Sequence, residues 1–347
     1  MKKVLLTTLC ACFAMLTKAQ IPTEGTTYFL PKTALNFALL IEKTAFTPGQ
    51  YADYAERYLK QKVKNKPYTQ YRIVGISLST CGVPDSSKRH IVIIDKKHSI
   101  VRVELDRNNV LKAVNAKAAQ QVQPVPFKAA RKPAAVNTKD YLTEDMIAAG
   151  SSAKTAELIA QEIYDIRESR NQLSKGEAEF MPKDGEQLKI MLHSLNTQET
   201  ALRQVFEGTI ETDTLEQTIS YTPTKEVQKE LLFRFSRHLG MVDKDDLSGV
   251  PYYISIADEH IIPKIEGAVN NDKKSKEDIG LYVNLPGKIK ITLYREERID
   301  KQFETYAAQF GRVEGISGTL FGRKFTTHIV LNPINGNVES MNTEPLE

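Results

Sequence analysis

The chain has 347 residues, of which 41% are hydrophobic, and its 47 Lys and Arg nearly balance its 43 Asp and Glu. A disordered chain would carry fewer apolar residues and a larger net charge, and a disulfide scaffold would be shorter and richer in cysteine than a chain with 3 Cys. At about 100–200 residues per domain, the length suffices for two or three domains with hydrophobic cores.

The first 19 residues have the features of a cleaved signal peptide. Two lysines precede a mostly apolar stretch, residues 4–17, and Thr17 and Ala19 are small residues suited to a cut before Gln20. The stretch is 14 residues long, whereas a membrane-spanning helix needs about 20. We expect cleavage after Ala19 and export to the periplasm or to an outer-membrane-associated location. A retained anchor and a lipoprotein cut before Cys12 are the alternatives.

Removal of this segment changes the charge and the cysteine content. The segment holds three lysines and no acid, so the net charge falls from +4 to +1. Proteins that bind nucleic acid normally have a basic excess, so nucleic acid is not an expected partner. Cys10 and Cys12 leave with the segment, and the remaining Cys81 cannot form an intramolecular disulfide. No other stretch of the sequence resembles a membrane span, so the mature chain is expected to have none.

Composition divides the mature chain into four parts: an N-terminal module (25–115), a linker (116–139), a middle domain (140–270) and a C-terminal module (279–347). The linker is rich in Ala, Pro and Lys and has no acid, which is typical of an extended tether. A basic interaction arm is the alternative. The polar stretch that begins at residue 270 is interpreted as a solvated loop.

The middle domain has helical periodicity first and strand patterns later. Apolar residues recur at helical spacing over 156–173, after a serine N-cap at 151 or 152. A second helix is predicted between Asp184 and Gly208, with Thr197 as a candidate interruption. β-rich runs follow at 209–221, 227–239 and 250–257. The pattern predicts helices packed on an antiparallel sheet.

The two ends of the mature chain share four short matches in the same order. These are Leu-Pro before alternating apolar residues (30–39 and 285–293), an aromatic helical face (54–58 and 306–310), Arg-x-x-Gly-Ile-Ser (72–77 and 312–317) and His-Ile-Val (90–92 and 328–330). The matches predict an α+β fold with a duplicated β-α-β-β-β module, and Asn335-Gly336 predicts a hairpin turn in the second copy. Because each copy is small and lacks a disulfide, we expect the copies to pack together around the middle domain.

For the residues that could take part in catalysis, a structural role is a better interpretation than a catalytic one. The sequence lacks HExxH, GxSxG and P-loop motifs. Cys81 could act as a nucleophile beside His90, but a lone cysteine is usually a buried apolar residue. The His pairs of the two modules lack metal-ligand spacing.

Two further patterns resemble ion sites. The acids of 243–246 resemble a calcium loop, but Ser248 stands where glycine is needed, so they are interpreted as turn caps. The glycines of 311–322 near Arg312 could cradle an anion, but the surrounding residues favour strands. We therefore assign no catalytic, cofactor-binding or metal-binding residue, and expect no cofactor.

Several motifs together resemble one protein family. They are Leu-Pro-Lys-Thr-Ala-Leu (30–35), the run Pro-Gly-Gln-Tyr-Ala-Asp-Tyr-Ala-Glu-Arg-Tyr-Leu (48–59), Gly-Ile-Ser (75–77), Gly-Val-Pro-Asp (82–85) and the helix of 156–170. The sequence is similar to a family of exported, uncharacterised proteins of gut- and mouth-dwelling Gram-negative anaerobes, known as a domain of unknown function. The resemblance covers nearly the whole mature chain. It implies export and brings no catalytic residues.

A duplicated module without a recognisable set of catalytic residues predicts a non-catalytic envelope protein that binds or scaffolds a partner of unknown identity. Another envelope protein or a polymer is the expected partner. The alternative is a hydrolase that acts on an envelope or dietary polymer, with a site assembled from distant residues.

Overall fold

The computed structural model describes residues 25–93, 99–118, 127–129, 136–263, 279–322 and 324–345. The α-helices are α1 (Ala55–Tyr58), α2 (Glu144–Ala148), α3 (Ser152–Lys175) and α4 (Gly185–Glu207), with 3-10 helices at Ala52–Tyr54, Thr138–Tyr141 and Gly318–Phe321. The strands are β1 (Gly25–Thr47), β2 (Tyr68–Ile93), β3 (Val103–Leu105), β4 (Leu111–Val114), β5 (Thr209–Tyr221), β6 (Val227–Ser236), β7 (Gly240–Val242), β8 (Val250–Asp258), β9 (Ile279–Arg295), β10 (Arg298–Ser317), β11 (Phe325–Leu331) and β12 (Val338–Pro345). The predicted α+β class is confirmed, since the sheets are antiparallel and the helices cluster apart from them. The signal peptide, the loop of 270–278 and most of the linker lie outside the described residues.

A three-stranded sheet, in the order β2-β1-β5, packs on a five-stranded sheet in the order β10-β9-β8-β6-β7. The alternation predicted after each Leu-Pro pair explains this packing, because one face of β1 and one face of β9 meet in a single core. The fully buried side chains that these strands contribute are Leu35, Phe37, Leu39, Ile289, Ile291 and Leu293.

A second core lies beneath a four-stranded sheet in the order β12-β11-β4-β3. The first halves of β1 and β9 reach into it, so each long strand serves both cores. The ladder of β1 shifts its register at Pro31, and that of β9 shifts around Pro286. Proline has no N–H to give to the ladder, so it breaks the pairing where the strand passes from one core to the other.

The N-terminal and C-terminal segments are joined directly, as the sequence led us to expect. β4 pairs with β11. The side chain of Asn284, which is fully buried, donates to the carbonyl oxygens of Pro31 at 2.8 Å and Asn335 at 3.0 Å. The amide side chain of Gln309 exchanges two hydrogen bonds with the backbone of Thr33, at 2.8 and 2.9 Å.

The helices form a third core with the segment between β1 and β2. Ser151 caps α3 by accepting from the N–H of Lys154, and α4 runs from its Asp184 cap to Gly208. The predicted interruption at Thr197 is wrong, because its hydroxyl donates to the carbonyl of His193 one turn back and the helix continues.

The repeated β-α-β-β-β order is wrong for the C-terminal segment. Residues 54–58 are helical, but 306–310 lie in β10, because that hairpin closes directly between Arg295 and Arg298. The ladder skips from Ala307 to Arg312, and this bulge gives the strand an apolar spacing that imitates a helix.

The two later matches are not equivalent either. Residues 72–77 pair beyond the Pro31 bend of β1, whereas 312–317 pair before the Pro286 bend of β9. His90 lies in β2 and His328 in β11. What both ends share is a long, bent hairpin followed by a short one, β3–β4 or β11–β12.

The strands predicted for the middle domain form, but they do not make a separate sheet. β5 pairs with β1, and β8 pairs with β9. The middle segment is therefore joined to both ends of the chain through their sheets.

Candidate functional site

Strand β5 occupies an outer position in the three-stranded sheet and begins directly after α4. The connecting Gly208 has φ +81°, and a Cβ there would lie 2.2 Å from the carbonyl oxygen of Thr47. Only glycine tolerates both the left-handed conformation and this approach. The tight connection sets Thr209 opposite Thr47, and the ladder then continues without a register shift to Tyr221 opposite Leu35.

The second edge of β5 has no partner strand among the described residues, and ten of its thirteen residues are exposed. Unpaired edges offer backbone N–H and C=O groups to another chain, so proteins usually protect them with bulges, proline, lysine or a covering segment. β5 has no bulge, proline or lysine.

The other long edge strands of the described part of the chain carry such protection. β2 has two register shifts and contains Pro84, and its Tyr71 N–H donates to the carbonyl of Arg237 at 2.7 Å. β10 has three register shifts, and β12 has one and ends at Pro345. β5 therefore differs from them in leaving a long, regular edge open.

The side chains of β5 give this edge an acidic and partly apolar character. Glu211 and Glu216 are exposed and form no ion pair with another described residue, while Asp213 stands opposite Lys43 in the ladder. Ile210 and Leu215 are 63% and 47% exposed. The strand thus combines open backbone groups, negative charge and apolar side chains.

The far end of β5 is fixed to the other sheet. The Tyr221 hydroxyl donates to Glu230 of β6 at 2.9 Å. Burial, together with the Glu230 carboxylate, raises the pKa of Tyr221 to about 12. The hydroxyl therefore stays protonated and keeps donating over the whole physiological pH range.

A groove of about 1170 Å³ continues from the start of β5 along α4. Beneath it lies Glu199, only 6% exposed, which accepts from Arg167 at 2.7 Å and from Arg170 at 2.6 Å. Burial alone would raise the pKa of Glu199, but the hydrogen bonds and charges of these two arginines hold it below its ordinary value. This carboxylate joins α3 to α4 through its two ion pairs, so its role is structural.

Cys81 and His90, the candidate nucleophile and its candidate partner, are not brought together. Cys81 pairs with Ala34 and His90 with Tyr28, nine residues further along the same strand. The Asn36 side chain donates to the Cys81 sulfur at 3.2 Å. The two side chains therefore have separate environments.

The His90 ring packs between aromatic neighbours. It stacks on Tyr282 with ring centroids 4.3 Å apart, and its Nε2 is buried without a hydrogen bond. Burial, helped by the nearby Lys88 charge, lowers the pKa of His90. The geometry fits an uncharged, half-buried imidazole that packs against Tyr28 and Tyr282 at the edge of the second core.

The two candidate ion sites of the sequence are structural. Asp246 accepts from the Ser248 N–H at 2.8 Å and caps a turn. Gly311 and Gly315 lie in β10, as the strand interpretation predicted, and a Cβ at Gly311 would lie 1.8 Å from the Leu285 carbonyl oxygen. Within the described ranges, no group of three or more His, Cys, Asp or Glu could hold a metal ion. In the same ranges, no helix has the length and apolar character needed to cross a membrane.

The described residues form an antiparallel sandwich with a clustered helical layer, and among their long edge strands β5 alone is unprotected. The chain belongs to a family described as a domain of unknown function, DUF4831, which it matches over residues 24–339. No curated protein and no solved structure matches it.

Proposed function

We propose that this protein is an exported, non-catalytic envelope protein that binds a partner polypeptide by adding a strand to the β5 edge. The observation that carries the proposal is the long, regular and exposed edge of β5. Strand addition obtains its affinity from main-chain hydrogen bonds and its specificity from alternate side chains. A rigid template helps, because little ordering cost then falls on the receptor. β5 is such a template, being paired with β1 along its full length.

The charge of β5 selects the chemistry of the partner. Glu211 and Glu216 face no basic side chain in an ion pair among the described residues, and β5 contains no Lys or Arg. A second copy of β5 would bring more acids to the same seam, and like charges across strands are destabilising. Glu211 and Glu216 are an odd number of residues apart in a strand without a bulge, so their side chains lie on opposite faces of the sheet. An extended segment that carries Lys or Arg on both of its faces, with apolar residues between them, would pair with both acids and cover Leu215.

Candidate reactive groups support binding rather than hydrolysis. The buried carboxylate Glu199 is neutralised by two arginines, and the Cys81 sulfur accepts from an amide. Neither environment resembles a general base beside a nucleophile. We therefore prefer the binding role over the alternative of a hydrolase for an envelope or dietary polymer.

The proposal is tested with a labelled peptide of the length of β5 that carries Lys on both faces of its extended chain, with Val and Thr between the lysines. Fluorescence anisotropy measures its affinity for the protein and for a Glu211→Lys/Glu216→Lys variant. Each charge pair contributes about 0.2–1 kcal/mol, so reversing two should weaken binding by about tenfold. Glu177→Lys/Glu179→Lys, in the exposed loop after α3, changes the net charge equally and should leave binding intact.

Three results would count against strand addition at β5: equal binding by both variants, equal binding of a peptide with Glu in place of Lys, or no saturable binding. A dimer that forms in the absence of peptide and is abolished by a substitution in β5 would assign the edge to a second copy instead.

Export is tested on the protein isolated from its native cells. Mass spectrometry should find a mature N-terminus at Gln20 in the envelope fraction. A lipid-modified Cys12, or a retained Met1, would contradict cleavage after Ala19.

A further inference from the structure

A second concave site lies where the two sheets of the sandwich separate, well apart from the β5 edge in the sheet order. This cleft has a volume of about 490 Å³. β1 and β2 form one wall, and β8 and the ends of β6 and β9 form the other. Such a volume lies within the usual range for sites of small molecules.

The floor of the cleft is apolar, because the main core reaches the surface there. Ile73 of β2, together with Phe235 and Tyr252 of the opposite sheet, lines it and packs with the core. An apolar floor would accommodate the hydrocarbon part of a ligand.

The rim of the cleft carries more positive than negative charge. Three arginines and one glutamate line it. Arg72 is paired with Glu42 at 2.8 Å, and Arg237 donates to the side chain of Gln70 at 3.0 Å. The side chain of Arg295 makes no hydrogen bond or ion pair with any described residue, so its guanidinium is free to bind a ligand.

A hydroxyl without a partner lies beside that guanidinium. Tyr252 is only 4% exposed and lines the cleft, yet no described residue hydrogen-bonds to its hydroxyl. It stands opposite Arg295 in the β8–β9 ladder, and side chains in such a pair lie on one face of the sheet about 5 Å apart at Cβ. Asp300 and Glu296 are close enough to act on Tyr252 electrostatically, and neither pairs with Arg295.

We propose that this cleft binds a small carboxylate with an apolar body, held at its carboxylate by Arg295 and Tyr252. The guanidinium fork matches a carboxylate with two parallel hydrogen bonds, and the phenol adds a third donor. Arg237, which follows the end of β6 on the other side of β8, supplies further positive charge. The apolar tail covers Ile73 and Phe235, which selects against inorganic anions.

Octanoate is the probe, with titration calorimetry or chemical-shift perturbation as the measurement. Arg295→Gln should weaken its binding at least about tenfold, as expected for loss of a charge-assisted hydrogen bond. Tyr252→Phe should weaken it by a smaller factor. Arg107→Gln, at the exposed β3–β4 turn, is the charge-matched control and should bind as the wild type does.

Octanol and inorganic phosphate distinguish the two halves of the site. Neither should bind as tightly as octanoate, because octanol lacks the negative charge and phosphate lacks the apolar body. The assignment is overturned if octanoate fails to saturate, if Arg295→Gln and Tyr252→Phe both bind normally while folded by circular dichroism, or if phosphate binds as well. Because this site shares no residue with β5, its failure leaves the peptide-binding test unaffected.

Discussion

Glu199 offers a sharp test of the electrostatics of the helical layer. Its side chain is 8% exposed and lies 2.7 and 2.6 Å from the nitrogens of Arg167 and Arg170, whose side chains are each 33% exposed. Removing one partner of a fully buried ion pair costs about 3–5 kcal/mol, because a charge is left uncompensated. Here the two arginines can rehydrate in part, so Glu199→Gln should lower the free energy of unfolding by about 2 kcal/mol.

The stability that Glu199 contributes depends on pH, and its lowered pKa sets the direction of that dependence. The folded-state pKa of Glu199 lies below its ordinary value of 4.5, so its contribution is complete above pH 4.5. As the pH falls through the lower folded-state pKa, the carboxylate is protonated and the contribution is lost. Urea unfolding followed by circular dichroism should therefore show a large difference between wild type and Glu199→Gln at pH 7, and a shrinking one in acid.

A matched control comes from α3. Glu157 pairs with Lys154 at 3.4 Å, but both side chains are more than half exposed, so Glu157→Gln should cost less than about 0.5 kcal/mol. Equal losses for the two variants would refute the reasoning. So would a Glu199→Gln deficit that stays constant from pH 7 into the acid range.

Three further predictions concern the turn, the core and the half-buried His90. Gly336→Ala should cost about 1–3 kcal/mol in urea unfolding, because φ is +74° and a Cβ would lie 2.7 Å from Asn284 Nδ2, whereas Gly150→Ala, which meets nothing within 4 Å, should cost little. Phe37→Ala should cost about 3–5 kcal/mol, since this ring is fully buried, and a loss below 1 kcal/mol would contradict the packing. An NMR titration should place the pKa of His90 below 6.5, and an ordinary value would contradict its packing against Tyr282.

Local elements follow closely from the sequence where caps and periodicity agree. The capped start of α3 and the strand at 209–221 lie where the pattern predicts them. The Asn335-Gly336 pair lies in the turn before β12, where Gly336 adopts a positive φ, but the predicted two-residue turn is wrong: the connection spans residues 332–337, between Leu331 and Val338, and Asn335 does not have a positive φ.

The helix assigned to 306–310 shows where periodicity fails. Apolar residues spaced three and four apart indicate a helix only while the chain is regular, and a bulge from Ala307 to Arg312 produces the same spacing in a strand. The matching segment 54–58 is helical because it belongs to an insertion between β1 and β2 that packs on α3.

The candidate sites depend on pairings that a single sequence does not encode. β5 could be predicted as a strand, but its position at an open edge follows from its pairing with β1, far away in sequence. Similarly, Arg72, Arg237 and Arg295 come from three distant segments and meet only because the two sheets pack together. Neither set has a local motif that marks it.

Hydrogen–deuterium exchange, measured with and without the lysine-containing peptide, tests the central claim most directly. Strand addition forms new main-chain hydrogen bonds along the free edge, so exchange should slow within Thr209–Tyr221 and stay unchanged in another exposed edge strand, Val338–Pro345. Binding that leaves exchange in β5 unchanged, or that slows it only elsewhere, would contradict the claim.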